Sequence, residues 1–166
     1  MNSIFHRVSI RKYKEQPVEE DKILQILKAG MQAPSACNQQ PWEFYVVTDK
    51  DKIKQLSKCT PYAGCAAGAP VIIVPVYRTE GLPAVQMVSV DMGICIENMW
   101  LETDALGLGG VCIGVSPIPE FMDAVRQVLD IPKNLEVFSL FALGYPDEVK
   151  VQQERFEENR IHVIRD

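Results

Sequence analysis

Two arginines and a serine alternate near the start of the chain, at Arg7, Ser9 and Arg11. In an extended segment, side chains at alternate positions point to the same side, so two guanidinium groups and a hydroxyl would converge. Arginine donates paired hydrogen bonds to phosphate oxygens, and serine can add another. The pattern therefore favours a phosphate-binding segment, although a short basic stretch that faces only water would have the same composition.

A polar loop is the second candidate site. It runs from Pro34 to Trp42 and includes Ser35, Asn38 and Gln40. Asparagine and glutamine both donate and accept hydrogen bonds, as a heterocyclic ring edge and a hydroxylated chain such as those of a flavin require. An ordinary turn with Trp42 in the core would explain these residues equally well.

A pair of arginines near the end of the chain, Arg155 and Arg160, is the third candidate. Taken alone, it is typical of a solvated charged run, whose ion pairs contribute little to stability. The five cysteines are odd in number and lack metal-ligand or Cys-x-x-Cys spacing, so we expect reduced thiols and no metal site. Cys95 lies in an apolar stretch and is expected in the core.

Composition excludes several classes of protein. A chain of 166 residues, 47% of them apolar, can fold as one domain with a full core. The net charge of -5, without a dense block of Lys and Arg, argues against nucleic acid as a partner. We expect no membrane segment, because no uncharged apolar run approaches the roughly 20 residues that a span needs. A cytoplasmic location is expected, because the first residues do not resemble a secretory signal.

The apolar spacing predicts the elements that must position these residues. A helix should start after Pro17 and stop near Pro34, and a long buried helix should run from Ala84 to Leu106 and close at Gly107. Another helix should begin at Pro119. The predicted strands cover 43–48, 71–74, 111–113 and 136–143, with a short surface helix at 49–58. The spacing of these elements lacks a regular βαβ alternation, which disfavours a dinucleotide-binding α/β fold.

In combination, these segments resemble the FMN-dependent nitroreductase family over essentially the whole chain. The family's Arg-x-Ser-x-Arg/Lys opening is similar to Arg7, Ser9 and Arg11. Its Pro-Ser-x-x-Asn-x-Gln-Pro-Trp segment is similar to the loop from Pro34 to Trp42. Three further motifs follow in the family's order: Asn98-Met99, Gly107-Leu108-Gly109 and Ala142 to Pro146. Each motif alone is weak, whereas five in sequence are specific.

The resemblance implies an α+β fold with three α/β/α layers around a mixed, mainly antiparallel sheet. It implies a single FMN-binding domain over residues 1–166, which forms an intertwined homodimer with FMN at the subunit interface. The polar tail, from about 148 to 166, would wrap the partner subunit. Relatives often have a Lys two residues before the late Arg, where this chain has Gln153, so FMN retention could be weaker.

The resemblance also implies site residues. Around the phosphate and ribityl end of FMN it places Arg7, Ser9, Arg11 and Arg155. From the other subunit, the flavin would be approached by Pro34, Ser35, Ala36 and Asn38. Near the redox end of the ring, backbone groups would come from Ile113 and Gly114.

The activity implied by the resemblance is a ping-pong transfer of hydride equivalents from NADH or NADPH to a small electron-poor acceptor. Nitroaromatics, quinones and enones are the expected acceptor classes. Because the flavin carries the chemistry, no protein side chain is predicted to be catalytic. Two alternatives stay open: another chemistry of the family, such as flavin reduction, and a flavin-binding or regulatory module without turnover.

Overall fold

The computed structural model describes residues 2–165. Its helices are α1 (Ser3–His6), α2 (Glu20–Met31), α3 (Lys50–Leu56), α4 (Val88–Ala105) and α5 (Pro119–Leu129). Its strands are β1 (Trp42–Val47), β2 (Val71–Arg78), β3 (Gly109–Gly114), β4 (Leu135–Val137) and β5 (Ser139–Gly144). Within residues 2–165, no helix combines the length and the apolar character needed to cross a membrane. The same residues contain no cluster of side chains suited to hold a metal ion.

The five strands form one sheet in the order β1-β2-β5-β3, and β4 pairs with the end of β2. All ladders between these strands are antiparallel. In the described part of the chain, the parallel contact is an isolated bridge between Ser9 and Gly110 on β3. The predicted mainly antiparallel sheet is confirmed, and β3 lies at one edge.

Helices cover both faces of the sheet, which confirms the three predicted layers. Strands β2 and β5 are buried along their full core length, as expected for strands covered on two sides. Because side chains alternate between the two faces, each strand contributes to two cores. One core joins α2 and α4 to the face that contains Val71, Ile73, Phe141 and Leu143. The other joins α3 and α5 to the face that contains Ile72, Val74, Leu140 and Ala142.

One predicted strand is interrupted. The sequence predicts a continuous strand over 136–143, but the chain breaks at Phe138 into β4 and β5. The break lies opposite Pro75 of β2, whose carbonyl accepts a hydrogen bond from the Phe138 N–H at 3.0 Å. A proline has no N–H to continue a ladder, so the pairing of β2 changes register at this point.

Helix α4 is apolar on opposite sides. One side is buried against the sheet and α2, with Met92, Cys95 and Met99 fully inaccessible. The other side leaves Val90 50% exposed and Ile94 37% exposed. A helix that is apolar all round is normally covered all round. Within residues 2–165, other elements cover the inner side of α4 and leave Val90 and Ile94 on the outer side exposed.

The end of α4 brings the N-terminal segment onto the sheet. Gly107 adopts a positive φ of 74° that closes the helix, and β3 starts two residues later. At Gly109, an added Cβ would lie 2.6 Å from the Ile10 Cγ1 atom and 2.7 Å from the Ile10 Cβ atom. Glycine at this position therefore allows the segment around Ile10 to pack directly on the edge strand.

Candidate functional site

The segment with Arg7, Ser9 and Arg11 lies along the edge of β3. Ile10 is buried in the core, and its N–H donates to the Gly110 carbonyl at 3.0 Å. The buried Tyr13 hydroxyl donates to the Ile10 carbonyl at 2.7 Å. Because Ile10 faces inward, the alternation directs Arg7, Ser9 and Arg11 to the opposite side.

Arg7 is held against α4. Its guanidinium carbon lies 4.1 Å from the centre of the Trp100 ring, which in turn donates a hydrogen bond to the Gly110 carbonyl at 3.1 Å. Its Nε atom is 3.5 Å from a Glu97 carboxylate oxygen, and that buried Nε atom has no hydrogen-bond partner within residues 2–165. A buried donor without an acceptor is costly and is suited to an additional acceptor such as a phosphate oxygen.

Ser9 and Arg11 also have free donors. In the part of the chain that the structure describes, the Ser9 hydroxyl and the exposed Arg11 guanidinium make no hydrogen bond or ion pair through their side chains. The backbone around them is instead well fixed. The backbone N–H and C=O groups of this segment form hydrogen bonds with side chains at the start of the C-terminal tail. The side chains of Ser9 and Arg11 therefore remain available to bind a ligand.

Glu148 and Lys150 form this anchor at the root of the tail. The Glu148 carboxylate accepts from the backbone N–H groups of Arg11 at 2.5 Å and Lys12 at 3.2 Å. The Lys150 ammonium donates to the Ser9 carbonyl at 3.0 Å and lies 3.1 Å from Glu148. The Arg11 amide above all, together with Lys150, holds the pKa of the Glu148 carboxyl below its usual range. The anchor thus depends on the ionised carboxylate.

The loop from Pro34 to Gln40 has an unusual backbone. Three of its residues without glycine's freedom have positive φ: Cys37 at 51°, Asn38 at 50° and Gln40 at 44°. The Ser35 hydroxyl accepts from the Gln40 N–H at 3.0 Å, and this bond closes the loop. Asn38 is exposed, and its side chain has no hydrogen-bond partner within residues 2–165. Trp42, just beyond the loop, is buried.

Two residues that hold this loop were missed by sequence reasoning. Asp91 of α4 is 2% exposed and accepts from the Ala36 N–H at 2.9 Å. Arg78, at the end of β2, donates to the carbonyls of Gln39 and Gln40 at 2.9 Å each. The available signal was the position of Asp91, three residues after Val88 and four before Cys95 on the buried side of α4.

Two further residues predicted to face the ligand, Ile113 and Gly114, are the last residues of β3. Ile113 is buried, whereas Gly114 is exposed, and nothing within 4 Å would meet a Cβ added to it. Its cross-strand neighbour Ser139 has a buried hydroxyl without a partner in the described chain. Burial raises the pKa of the nearby Cys112 thiol, so this cysteine is neutral at ordinary pH.

The predicted residues form two groups within one chain. Arg7 contacts α4 at Glu97 and Trp100, whereas the loop is tied to Asp91. At about 1.5 Å per residue, Glu97 and Trp100 lie roughly 9–14 Å from Asp91 along the axis of α4. A cavity beside Arg7 has a volume of about 230 Å³, below the roughly 300–1,000 Å³ of small-molecule pockets. Arg155 lies exposed in the tail, without an ion pair among residues 2–165.

The fold and these segments define a protein class. The sequence matches the Nitroreductase family over residues 4–60 and 56–145, and the chain belongs to that family. It is 37% identical to an Archaeoglobus fulgidus protein provisionally named NADH dehydrogenase/NAD(P)H nitroreductase, over 98% of this chain and 95% of that protein.

Solved structures agree with this assignment. The chain is similar to a Clostridium acetobutylicum protein provisionally described as an NADH oxidase, with a TM-score of 0.95, 38% identity and 99% of each chain covered. It is also similar to an FMN-dependent nitroreductase from Clostridium difficile, with a TM-score of 0.91, 30% identity and 99% of each chain covered. The predicted fold class is therefore confirmed.

Replacing Glu148 by Gln should remove the negative charge of the anchor while keeping a side chain of the same size. Since the pKa of Glu148 is lowered in the folded chain, its stabilising contribution is present above the ordinary carboxyl pKa of 4.5 and is lost as pH falls through the folded value. We expect Glu148→Gln to unfold about 1 kcal/mol more easily at pH 7. Urea unfolding at several pH values should show this difference shrinking below about pH 4.5.

A matched control is Glu43→Gln, an exposed carboxylate on β1 that makes no hydrogen bond within residues 2–165. It should leave the free energy of unfolding nearly unchanged. A difference between Glu148→Gln and wild type that stays constant down to pH 3 would contradict the role given to the charge.

Proposed function

We propose that this chain is an FMN-dependent oxidoreductase that transfers reducing equivalents from NADH or NADPH to a small electron-poor acceptor. The observation that carries the proposal is the arrangement along β3. At the start of β3, the contact of Ile10 with Gly110 brings in the side chains of Arg7, Ser9 and Arg11, which have hydrogen-bond donors without acceptors within residues 2–165. At the end of β3 is Gly114, with open space where a side chain would be. Membership of the nitroreductase family and the similarity to an FMN-dependent nitroreductase support the same function.

The side chains fit the phosphate end of FMN. Arg7 has a buried donor without an acceptor, and Ser9 and Arg11 have side chains free of internal partners in residues 2–165. Together these groups offer two positive charges and a hydroxyl, which is the donor set that a phosphate dianion requires. Arg155 would add a third arginine from the tail.

The backbone fits the ring end of FMN. The Gly110 carbonyl faces the outer edge of β3, because it accepts from Ile10 rather than from β5. Alternation along a strand then directs the N–H and C=O groups of Gly114 to the same outer edge. At about 3.3 Å per residue, Gly114 lies roughly 13 Å from Gly110. Gly114 would thus present its backbone groups to the ring, whereas the backbone groups of its neighbour Ile113 face β5.

A second copy of the chain is needed to complete the site. The Pro34–Gln40 loop contacts α4 at Asp91, whereas Arg7 contacts the helix near its other end, at Glu97 and Trp100. The loop would therefore approach a flavin held by the partner subunit, through Pro34, Ser35, Ala36 and Asn38. The exposed apolar residues Val90 and Ile94 of α4 suit an interface between two copies. The tail carries further exposed apolar residues, which would be covered if it wrapped the partner: Val149, Val151, Phe156 and Ile164.

FMN, when bound, supplies the hydride chemistry, accepting two electrons from the nicotinamide and passing them to the acceptor. The chain's own task is to bind the phosphate with its arginines, to orient the ring with backbone groups and to exclude water at the interface. Reductant and acceptor would use one place in turn, which is a ping-pong cycle. Nitroaromatics, quinones and enones suit this role. We place the enzyme in the cytoplasm, where its reductants occur.

The purified protein tests the proposal directly. We expect a flavin absorption spectrum, either as isolated or after titration with FMN. Anaerobic NADH or NADPH should bleach it, and an added quinone or nitroaromatic should restore it. Absence of flavin bands after titration would refute the proposed function, and colour that persists with both nicotinamides would indicate a flavin-binding module without turnover.

Arg11→Ala should weaken FMN binding through the phosphate alone. Loss of a charge-assisted hydrogen bond costs about 1.5–3 kcal/mol, so the Kd for FMN should rise about 10–100-fold. Riboflavin lacks the phosphate, and its Kd should change little. Quenching of flavin fluorescence measures both, and Lys133→Ala, a surface cation between α5 and β4, serves as control. An equal loss of affinity for both flavins would contradict the role of Arg11.

Val90→Glu should separate the two copies. A carboxylate on the exposed apolar side of α4 would have to be desolvated at the interface, which is strongly unfavourable. We expect the mass from sedimentation or light scattering to fall to that of one chain, together with loss of bound FMN. Val46→Glu, at a similarly exposed valine on β1, should keep the wild-type mass. A wild-type monomer that retains FMN would exclude the shared site.

A further inference from the structure

We propose that Asp91 is a positioning residue that sets the shape of the Pro34–Gln40 loop for contact with the flavin. The inference rests on the proposed function, because it concerns how that loop presents itself to FMN. Asp91 is 2% exposed on α4 and lies outside every group of residues assigned above to binding the cofactor. Its carboxylate is nevertheless directed at the loop.

Both oxygens of Asp91 bind the loop. One accepts from the Ala36 N–H at 2.9 Å, and the other accepts from the Gln39 side-chain amide at 2.6 Å. The Gln39 amide is itself fixed by Ala84, whose carbonyl accepts from its nitrogen at 2.9 Å and whose N–H donates to its oxygen at 3.0 Å. Gln39 therefore cannot turn over without losing both bonds to Ala84, and only its donor side can face Asp91.

Arg78 is the second side chain that holds the loop. Its guanidinium donates to the carbonyls of Gln39 and Gln40 at 2.9 Å each. Asp91 thus accepts from N–H donors of the loop, and Arg78 donates to its carbonyl groups. A negative and a positive side chain therefore fix the orientation of the loop's polar groups.

This clamp offsets backbone strain. For a residue other than glycine the left-handed region is unfavourable, although less so for asparagine than for most others. Cys37, Asn38 and Gln40 all adopt it, within four consecutive positions. Such a conformation persists only when surrounding bonds determine it. The result is that Asn38 is displayed outward with its side chain unpaired in the described chain, next to Ser35 and Ala36.

Stability alone does not account for a carboxylate at this position. Within residues 2–165, Asp91 has no cation at ion-pair distance, and a buried ion without one is costly to desolvate. A neutral side chain would avoid that cost. What the carboxylate adds is a pair of strong acceptors for two donors whose positions define the loop.

Asp91→Asn tests the inference in the FMN-loaded protein. The new amide has one acceptor oxygen for two donors, so its NH2 group must face either the Ala36 N–H or the Gln39 amide nitrogen, and neither can accept a hydrogen bond from it. We expect the Kd for FMN to rise about tenfold, and amide hydrogen exchange at Ala36–Gln40 to accelerate by about the same factor. Thr103→Ala is the control, because Thr103 is a fully buried polar residue on the same helix whose hydroxyl donates only to the Met99 carbonyl.

The control should lower Tm while leaving the FMN Kd and the exchange of the loop at wild-type values. If Asp91→Asn behaves like the control in both measurements, Asp91 is merely structural and the inference is overturned. Should that variant fail to fold, Gln39→Ala removes one arm of the clamp and should give the same two changes. If the wild type itself binds no FMN, the proposed function fails, and the exchange of the loop still decides whether Asp91 shapes it.

Discussion

Helix α4 carries apolar residues on opposite sides, and its inner side organises the rest of the structure. Its inner side packs on α2 and on the sheet, where Met92, Cys95 and Met99 are completely buried. Along its length it also carries the groups that organise both halves of the site. Asp91 holds the Pro34–Gln40 loop near its start, and Trp100 lies under Arg7 nearer its end. One element thus fills the core and contacts both candidate binding segments.

The edge strand β3 is the second shared element. Its glycines allow the N-terminal segment to lie directly on it, since a side chain at Gly109 would collide with Ile10. The backbone of that segment is bound by Gly110, Glu148 and Lys150, and its cationic side chains remain available. If this segment binds the FMN phosphate, as we propose, its rigid main chain and unsatisfied side chains would limit the reorganisation that binding requires.

Local patterns in the sequence predicted most of the fold. The helical spacing of apolar residues located α2 and α4, and the β-branched runs located β1 and β2, because burial on one or two faces leaves a periodic trace. The split between β4 and β5 was not predicted. It depends on Pro75, a residue of another strand that is distant in sequence, and no local signal at Phe138 reports its position.

The site was predicted unevenly for the same reason. Arginines and polar loop residues could be picked out by chemistry, and their order along the chain indicated the family. The clamp on the loop joins Gln39 to Asp91, 52 residues later, and Arg78 to Gln40, so it exists only after folding. An acid on the buried side of α4 was the sole local sign of it.

Placing the two halves of the site at different levels of α4 has a thermodynamic consequence. If each flavin needs groups from two chains, its binding and the association of those chains are linked equilibria, and each must strengthen the other. Apparent affinity for the cofactor then depends on protein concentration, and saturating cofactor slows the exchange of subunits. Cellular flavin supply and the abundance of the protein would together set the fraction that is assembled.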